Sequence, residues 1–335
     1  MRVSDNRLGL ADPARNITSS PQVRLRAPVP PPADQADLSR YLRATAARAD
    51  ADELETAFAN CGVALDAAGR WRAGPALAAA YSLRASVGRR LGRLAGAERD
   101  GELAARMLAD DPWDDAAVLL RARRVSTRLD TGDVPGAEKL LIGFRGELTD
   151  TPSMLALRYA RGRFYACAGL VGEALADLFA CGERLAARQA DRPGVLPWRS
   201  AAAAALVATG ATEAAARLVA AEVGLARRSG PASALGRALR VEGIVPGGPG
   251  IGALDEAVKV LQRSPRRFEY AQALVDLGTA LNAARRRPQA RRVLREGLQI
   301  AVDCGSPALA ARAQSAYLAA GGKPRPIPSQ RHPTV

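Results

Sequence analysis

The sequence contains one histidine, His332, close to the C-terminal end. A chain with so little imidazole cannot build histidine-based triads, most zinc sites or a histidine general base along its main body. Lysine is almost as scarce: only Lys139, Lys259 and Lys323 occur, so 45 of the 48 basic residues are arginine. Aromatics make up 4%. The four cysteines, Cys61, Cys167, Cys181 and Cys304, are far apart and form no CxxC pair. That argues against a zinc site or a disulfide framework and for thiols packed among small apolar residues in a reducing compartment. No G-x-x-x-x-G-K-[ST] phosphate loop and no G-x-S-x-G elbow is present. The nearest glycine cluster, GGPGIG at 247–252, lacks the lysine and hydroxyl and reads as a structural loop. The start, MRVSDNRLGL, has no apolar core of signal-peptide length. The most apolar run, Ala201 to Thr212, is too short to span a bilayer. The sequon Asn16-Ile17-Thr18 then reads as a chance match. The expectation is a soluble cytoplasmic protein with no cofactor and no membrane contact.

What the chain does have is alanine and arginine. Hydrophobic residues make up 48%, with alanine dominant, and no stretch alternates with period two for long. Small side chains favour close helix packing and carry little β-propensity, so the chain reads as all helical. The net charge is +14 and the isoelectric point about 10.6. A basic balance permits contact with nucleic acid or anionic surfaces. The arginines are spread along the whole length, however, as solvated helix faces would be.

Residues 1–35, with Pro28, Pro30, Pro31 and Pro32 close together, read as a disordered proline-rich leader. Residues 36–148 read as N-terminal helical hairpins. Asp37-Leu38-Ser39-Arg40 opens the first helix, Asp50 or Asp52 caps the second, and Trp71 lies in the turn GRWRAGP. Residues 149–320 read as a helical repeat array. Residues 321–335, with four prolines, read as a linker or tail.

A repeat can be counted from Leu91 onward. A small residue early in the second helix of each hairpin is followed four residues later by an apolar one: Ala104–Leu108, Ala137–Leu141, Ala174–Leu178, Ala214–Leu218, Ala257–Leu261 and Ala290–Leu294. Phe144 continues the second of these patterns. Twelve residues before three of the markers stand Gly92, Gly162 and Gly278. Gly132, Gly169 and Gly210 sit where the paired helices turn. Asp191–Gly194 and Pro246–Gly250 break or lengthen the array. Six imperfect copies near the tetratricopeptide period predict an all-α fold of TPR-like hairpins stacked in an irregular right-handed superhelix.

Two groups of residues stand out as candidate contacts. On the first helices of the hairpins, Arg158, Arg161, Tyr165 and Arg199 are placed on the concave surface, where they would meet a partner or ligand. Ordinary helix-surface residues are the plain alternative. Arg285, Arg286, Arg287, Arg291 and Arg292 would form a basic rim toward DNA backbone or an acidic partner, or else be solvated turn residues. Aromatics to stack bases are nearly absent beside them, which argues against a single-strand groove. Asp110, Asp111, Asp114 and Asp115 surround Pro112-Trp113 and suit helix capping better than acid catalysis.

Residues 196–326 resemble the C-terminal helical-repeat region of large ATP-binding LuxR-family (MalT-like) transcriptional regulators, common in actinobacteria. The matching stretches run from Gly236-Arg237-Ala238-Leu239-Arg240 through Ala271-Gln272-Ala273-Leu274-Val275-Asp276-Leu277-Gly278 and Ala290-Arg291. They end at Leu318-Ala319-Ala320-Gly321-Gly322-Lys323-Pro324-Arg325. The family's ATPase and helix-turn-helix residues have no matching positions here. Residues 36–148 more weakly resemble the bacterial transcriptional activator domain, through Asp37-Leu38-Ser39-Arg40-Tyr41, Gly69-Arg70-Trp71, Asp111-Pro112-Trp113 and Gly132 with Ala137. The resemblance implies a non-enzymatic, signal-receiving or protein-interaction module from a transcription regulator, truncated before its own DNA-binding domain. It would receive a small-molecule effector or protein partner, reach DNA only indirectly, and allow for a homo-oligomer. The alternative is a free-standing TPR-like adaptor that binds a protein partner.

Overall fold

A computed structural model describes residues 30–108, 114–143 and 150–323. The described residues form fifteen helices, α1 to α15, and no strand. The proline-rich leader before residue 30, Phe144, His332 and the tail from residue 324 lie outside them, as do Asp110, Asp111 and Trp113.

The chain opens with α1 (Gln35–Asp50) and α2 (Leu54–Arg70). Asp34 caps α1 by accepting from the Asp37 N–H at 2.8 Å. Six hairpins follow: α3 (Gly74–Leu91) with α4 (Leu94–Met107), α5 (Asp115–Thr131) with α6 (Val134–Leu141), and α7 (Pro152–Cys167) with α8 (Val171–Ala187). Next come α9 (Trp198–Ala208) with α10 (Thr212–Ser229), α11 (Ala232–Ile244) with α12 (Ile251–Gln262), and α13 (Arg267–Ala283) with α14 (Arg287–Cys304). The last helix is α15 (Pro307–Ala319). Asp114 caps α5 by accepting from the Ala117 N–H at 2.6 Å, and Asp115 accepts from the Ser153 hydroxyl. Neither Asp50 nor Asp52 caps α2, whose N-cap is Glu53. Asp52 instead takes a left-handed backbone, φ 68°, and sends its carboxylate to another part of the molecule.

Within a hairpin the helices approach over small residues. A Cβ on Gly162 would stand 2.9 Å from Leu178 Cγ, and one on Gly278 only 2.3 Å from Leu294 Cγ. The leucine fills the notch that the glycine leaves, as the twelve-plus-four spacing predicts. Gly92 does not belong to that set, because it is the left-handed C-cap of α3. The residue equivalent to Gly162 in α3 is Ala85. A paired ion bridge shows this: Arg161 grips Asp177 through Nε and Nη2 at 2.6 and 2.8 Å, and Arg84 grips Asp100 the same way at 2.8 and 2.6 Å. Both pairs span sixteen residues. The marker of the first hairpin is therefore Ala97, 2% exposed, seven residues before Ala104. In α10 the marker shifts by one, since Ala215 and Val219 are fully buried and Ala214 is not.

The first helices α3, α5, α7, α9, α11 and α13 touch in sequence, and α13 also touches α3. The second helices α4 to α14 each cover the seam to the next hairpin. The stack thus spirals through a turn, and its end docks on its beginning. The C-terminal tip of α3 meets the start of α13, where a Cβ on Gly92 would lie 2.6 Å from Cys304 Sγ. The tip of α5 meets the start of α15, where a Cβ on Gly132 would lie 2.3 Å from Ala308 Cβ. Leu94 of α4 shares one buried core with residues of α11 to α15. Another core, with Val118, Val125, Leu157 and Phe164, runs across the expected boundary at residues 148 and 149. Neither the return of the stack on itself nor this continuity is visible as a local pattern, because both rest on contacts between residues far apart in the chain.

The notch has a measurable consequence. Gly278→Ala should lower stability by about 1–3 kcal/mol through overpacking against Leu294. Gly62→Ala, mid-helix in α2 with open space around its Cα, should raise it by about 0.5–1 kcal/mol through helix propensity. Urea unfolding of both variants against the parent reads the difference.

Candidate functional site: an arginine-lined lumen

The inner helices enclose a cavity of about 830 Å³. Its wall draws on α3, α5, α7, α9, α11 and α13, with the 188–197 connection between α8 and α9 as one side. The volume suits a small organic ligand. Leu119, Ala122, Leu155, Ala201, Ala204 and Val241 give the wall apolar stretches. Nine arginines and three carboxylates also line it.

Carboxylates in this wall are shared. Asp130, 6% exposed, accepts from Arg89 through one oxygen at 2.6 Å and from Arg163 through the other at 2.8 Å. Its backbone carbonyl accepts from the Ser306 hydroxyl at 2.7 Å, which also caps α15. One residue of α5 therefore ties together α3, α7 and the end of the chain. Glu269 of α13 lies between Arg237 at 3.0 Å and Arg266 at 3.2 Å. Burial opposes ionisation of Glu269, yet the guanidiniums of Arg237 and Arg266, with Arg89 and Arg240 beyond, hold its carboxyl down at about 2. Arg266 Nε also reaches Asp52 at 2.8 Å across the docking seam. Arg240 shares Asp276 with Arg312. Arg237 donates as well to the carbonyl of Pro193, which pins the 188–197 wall to α11.

Glu222 of α10 lies just behind this wall, 1% exposed. It accepts from the Ser200 N–H at 2.6 Å in the first turn of α9, whose N-cap, Pro197, offers no capping side chain. Burial raises its carboxyl above the usual range, against the pull of Arg237.

The four residues placed on the concave surface by sequence lie on other faces. Arg158 and Arg161 both pair with Asp177 of α8, and the Arg161 guanidinium also stands over the Tyr165 ring at 5.7 Å. Arg199 pairs with Asp191 and stacks on Trp198 at 4.4 Å. On α7 the lumen stripe is Leu155, Tyr159 and Arg163. The difference is a rotation about the helix axis. A first helix has two inward faces, one toward its own partner and one toward the lumen; Arg158 and Arg161 belong to the former, and Tyr165 packs against the core with Val118 and Phe164. Both stripes have helical spacing, so no local pattern in the sequence separates them. The basic group does come together: Arg285, Arg286, Arg287 and Arg292 are exposed around the α13–α14 turn, while Arg291 is half-buried and donates to the Ala320 carbonyl.

Cys61, Cys181 and Cys304 are buried and Cys167 is exposed at the lumen. Burial pushes the first two thiols up to about 12 and Cys304 to about 11, so they are unreactive packing groups. Among the described residues no three histidine, cysteine or acidic side chains converge as metal ligands, and no helix is long and apolar enough to cross a membrane. No protein-family model matches the chain, and no curated protein is found to match it.

Glu269 sets an acid limit. Its ordinary value is 4.5 and its folded value about 2, so the unfolded chain takes up the proton first as pH falls. The stability it contributes is complete above about pH 4.5 and is lost as the pH falls from there toward 2. The amount is on the order of 3 kcal/mol. Glu269→Gln should therefore destabilise the protein at neutral pH and flatten the stability slope across that window, read by urea unfolding at a series of pH values.

Proposed function

We propose that this chain is a signal-receiving helical-repeat module of the kind found in LuxR-family transcription regulators, and that its receiving site is the central lumen. The observation that carries this reading is the closed circuit of inner helices around a ligand-sized cavity. Each hairpin contributes one wall, so an occupant touches most of the stack at once. The reading also has the support of the sequence resemblance in residues 196–326, where Gly236–Arg240 and Ala271–Gly278 supply both the matching stretches and part of the lumen wall. The reading is one of binding rather than chemistry: beside its arginines and shared carboxylates the lumen holds one tyrosine, the Cys167 thiol and three serines, and among the described residues none of these is hydrogen-bonded to a histidine or other free base. A protein-binding adaptor is the second reading, favoured by one observation: the exposed arginines around the α13–α14 turn lie away from the lumen, where an acidic partner could reach them.

Filling the lumen tests the first reading. Ala204 is exposed and faces the cavity, so Ala204→Trp can occupy it without disturbing a packed core. A metabolite extract should raise the melting temperature of the parent protein and leave that of the variant unchanged. An equal rise in both, or none in either, places the site elsewhere.

A further inference from the structure

The lumen arginines are not balanced. Asp130 and Glu269 each serve two arginines, and among the described residues Asp50 is the only other carboxylate in the wall. Adding the acids just behind it, Asp52, Glu222 and Asp276, still leaves three more cations than anions among the described residues. Two of the three, Arg188 and Arg192, are exposed on the 188–197 connection, and the third, Arg123, stands where α3, α5 and the start of α13 meet. Among the described residues no carboxylate stands within ion-pair distance of Arg123, and its hydrogen bond goes to the Ser82 hydroxyl at 2.7 Å. Arg266 is 4% exposed, and its Nη2 is buried with no partner although its Nε and Nη1 are engaged. Arg90 gives its one hydrogen bond to the Ala49 carbonyl, and Asp50 and Asp52 stand at 3.6 and 3.9 Å. A desolvated cation without full compensation is costly, and an oxyanion is the group that completes it.

We propose that the lumen binds a small organic anion whose phosphate or clustered-carboxylate head sits among Arg90, Arg123 and Arg266 and whose apolar body lies along Leu119, Leu155 and Ala204. This rests on the lumen being the receiving site. Electrostatics agree with the geometry. Burial holds the Arg90 and Arg123 guanidiniums below their ordinary value, with Arg266 and Arg89 adding to the effect on Arg90 and Arg89 to that on Arg123, whereas Arg163, also buried, is held above it by Asp130. Arg266 belongs to the docking seam through Asp52 as well as to the lumen. An anion bound there adds a contact at the place where the two ends of the stack meet, so occupancy and closure are linked.

The test uses 1-naphthyl phosphate, 1-naphthoate and neutral 1-naphthol as probes, titrated calorimetrically into the whole chain at fixed ionic strength. The phosphate is expected to bind saturably. Arg123→Gln, chosen because it breaks no ion pair, should weaken it about tenfold or more, the loss of one charge-assisted hydrogen bond. Arg287→Gln, on the exposed turn, should leave it unchanged. Equal or tighter binding of the naphthoate, with the same Arg123 dependence, also supports the site and identifies the head as a carboxylate. Binding of the naphthol as tight as either anion, no binding of either anion at millimolar concentration, or equal losses in Arg123→Gln and Arg287→Gln overturns the proposal. Ala204→Trp separates the two readings. If the naphthol binds and Ala204→Trp abolishes it, the lumen is the receiving site but not for anions. If anion binding depends on Arg123 and survives Ala204→Trp, the arginine corner binds the anion without a body along Ala204, and the reading of the central lumen as the receiving site falls.

Discussion

The return of the stack onto itself depends on a small polar seam. Arg266 at the start of α13 holds Asp52 from the turn between α1 and α2, and Ser306 at the start of α15 holds the Asp130 carbonyl at the end of α5. Around these bonds the backbones come close enough that neither Gly92 nor Gly132 has room for a side chain. Buried ion pairs of this kind contribute little net stability, because desolvation offsets most of the attraction. Removing one partner, however, strands the other in a dry environment. The seam therefore fixes where the end of the spiral meets its beginning, and the apolar core that Leu94 shares with α11 to α15 supplies the driving force.

Two kinds of arginine contact run through the hairpins, and they have separate tasks. Bidentate pairs such as Arg84–Asp100 and Arg161–Asp177 join the two helices of one hairpin. They occupy the same place in these two hairpins and set the register of the helices there. The lumen pairs join different hairpins and share their carboxylates. A guanidinium is suited to both, since its planar fork reaches two acceptors and keeps its charge when buried. That explains how a protein with three lysines and 45 arginines can line an interior cavity with cations.

The lumen wall and the hairpin stack share their polar contacts. The arginines of the lumen are held by the same carboxylates that hold the hairpins in sequence. Asp130 shows the sharing most directly. Its two carboxylate oxygens face the cavity arginines Arg89 and Arg163, and its backbone carbonyl belongs to the seam.

The six hairpins were legible in the sequence because a small residue opposite a leucine is a local requirement of close helix packing. All six markers from Ala104 to Ala290 fall on second helices. Where the register slipped, to Ala97 in α4 and Ala215 in α10, the cause was alanine itself, which is so common that neighbouring alanines compete for the same role. The exposed basic turn was legible too, since a charge run between two amphipathic helices has nowhere to pack. The lumen was not. Which face of a first helix looks inward depends on the angle at which successive hairpins stack, and Leu155-Tyr159-Arg163 and Arg158-Arg161-Tyr165 are equally regular stripes on one helix. By itself the sequence determined the all-helical class, the hairpin count and the arginine surplus, because composition and short-range spacing encode them. Only the tertiary structure decided that the spiral meets its own end, which stripe faces the cavity, and which arginines are left without a carboxylate, because those depend on distances between residues as far apart as Asp52 and Arg266.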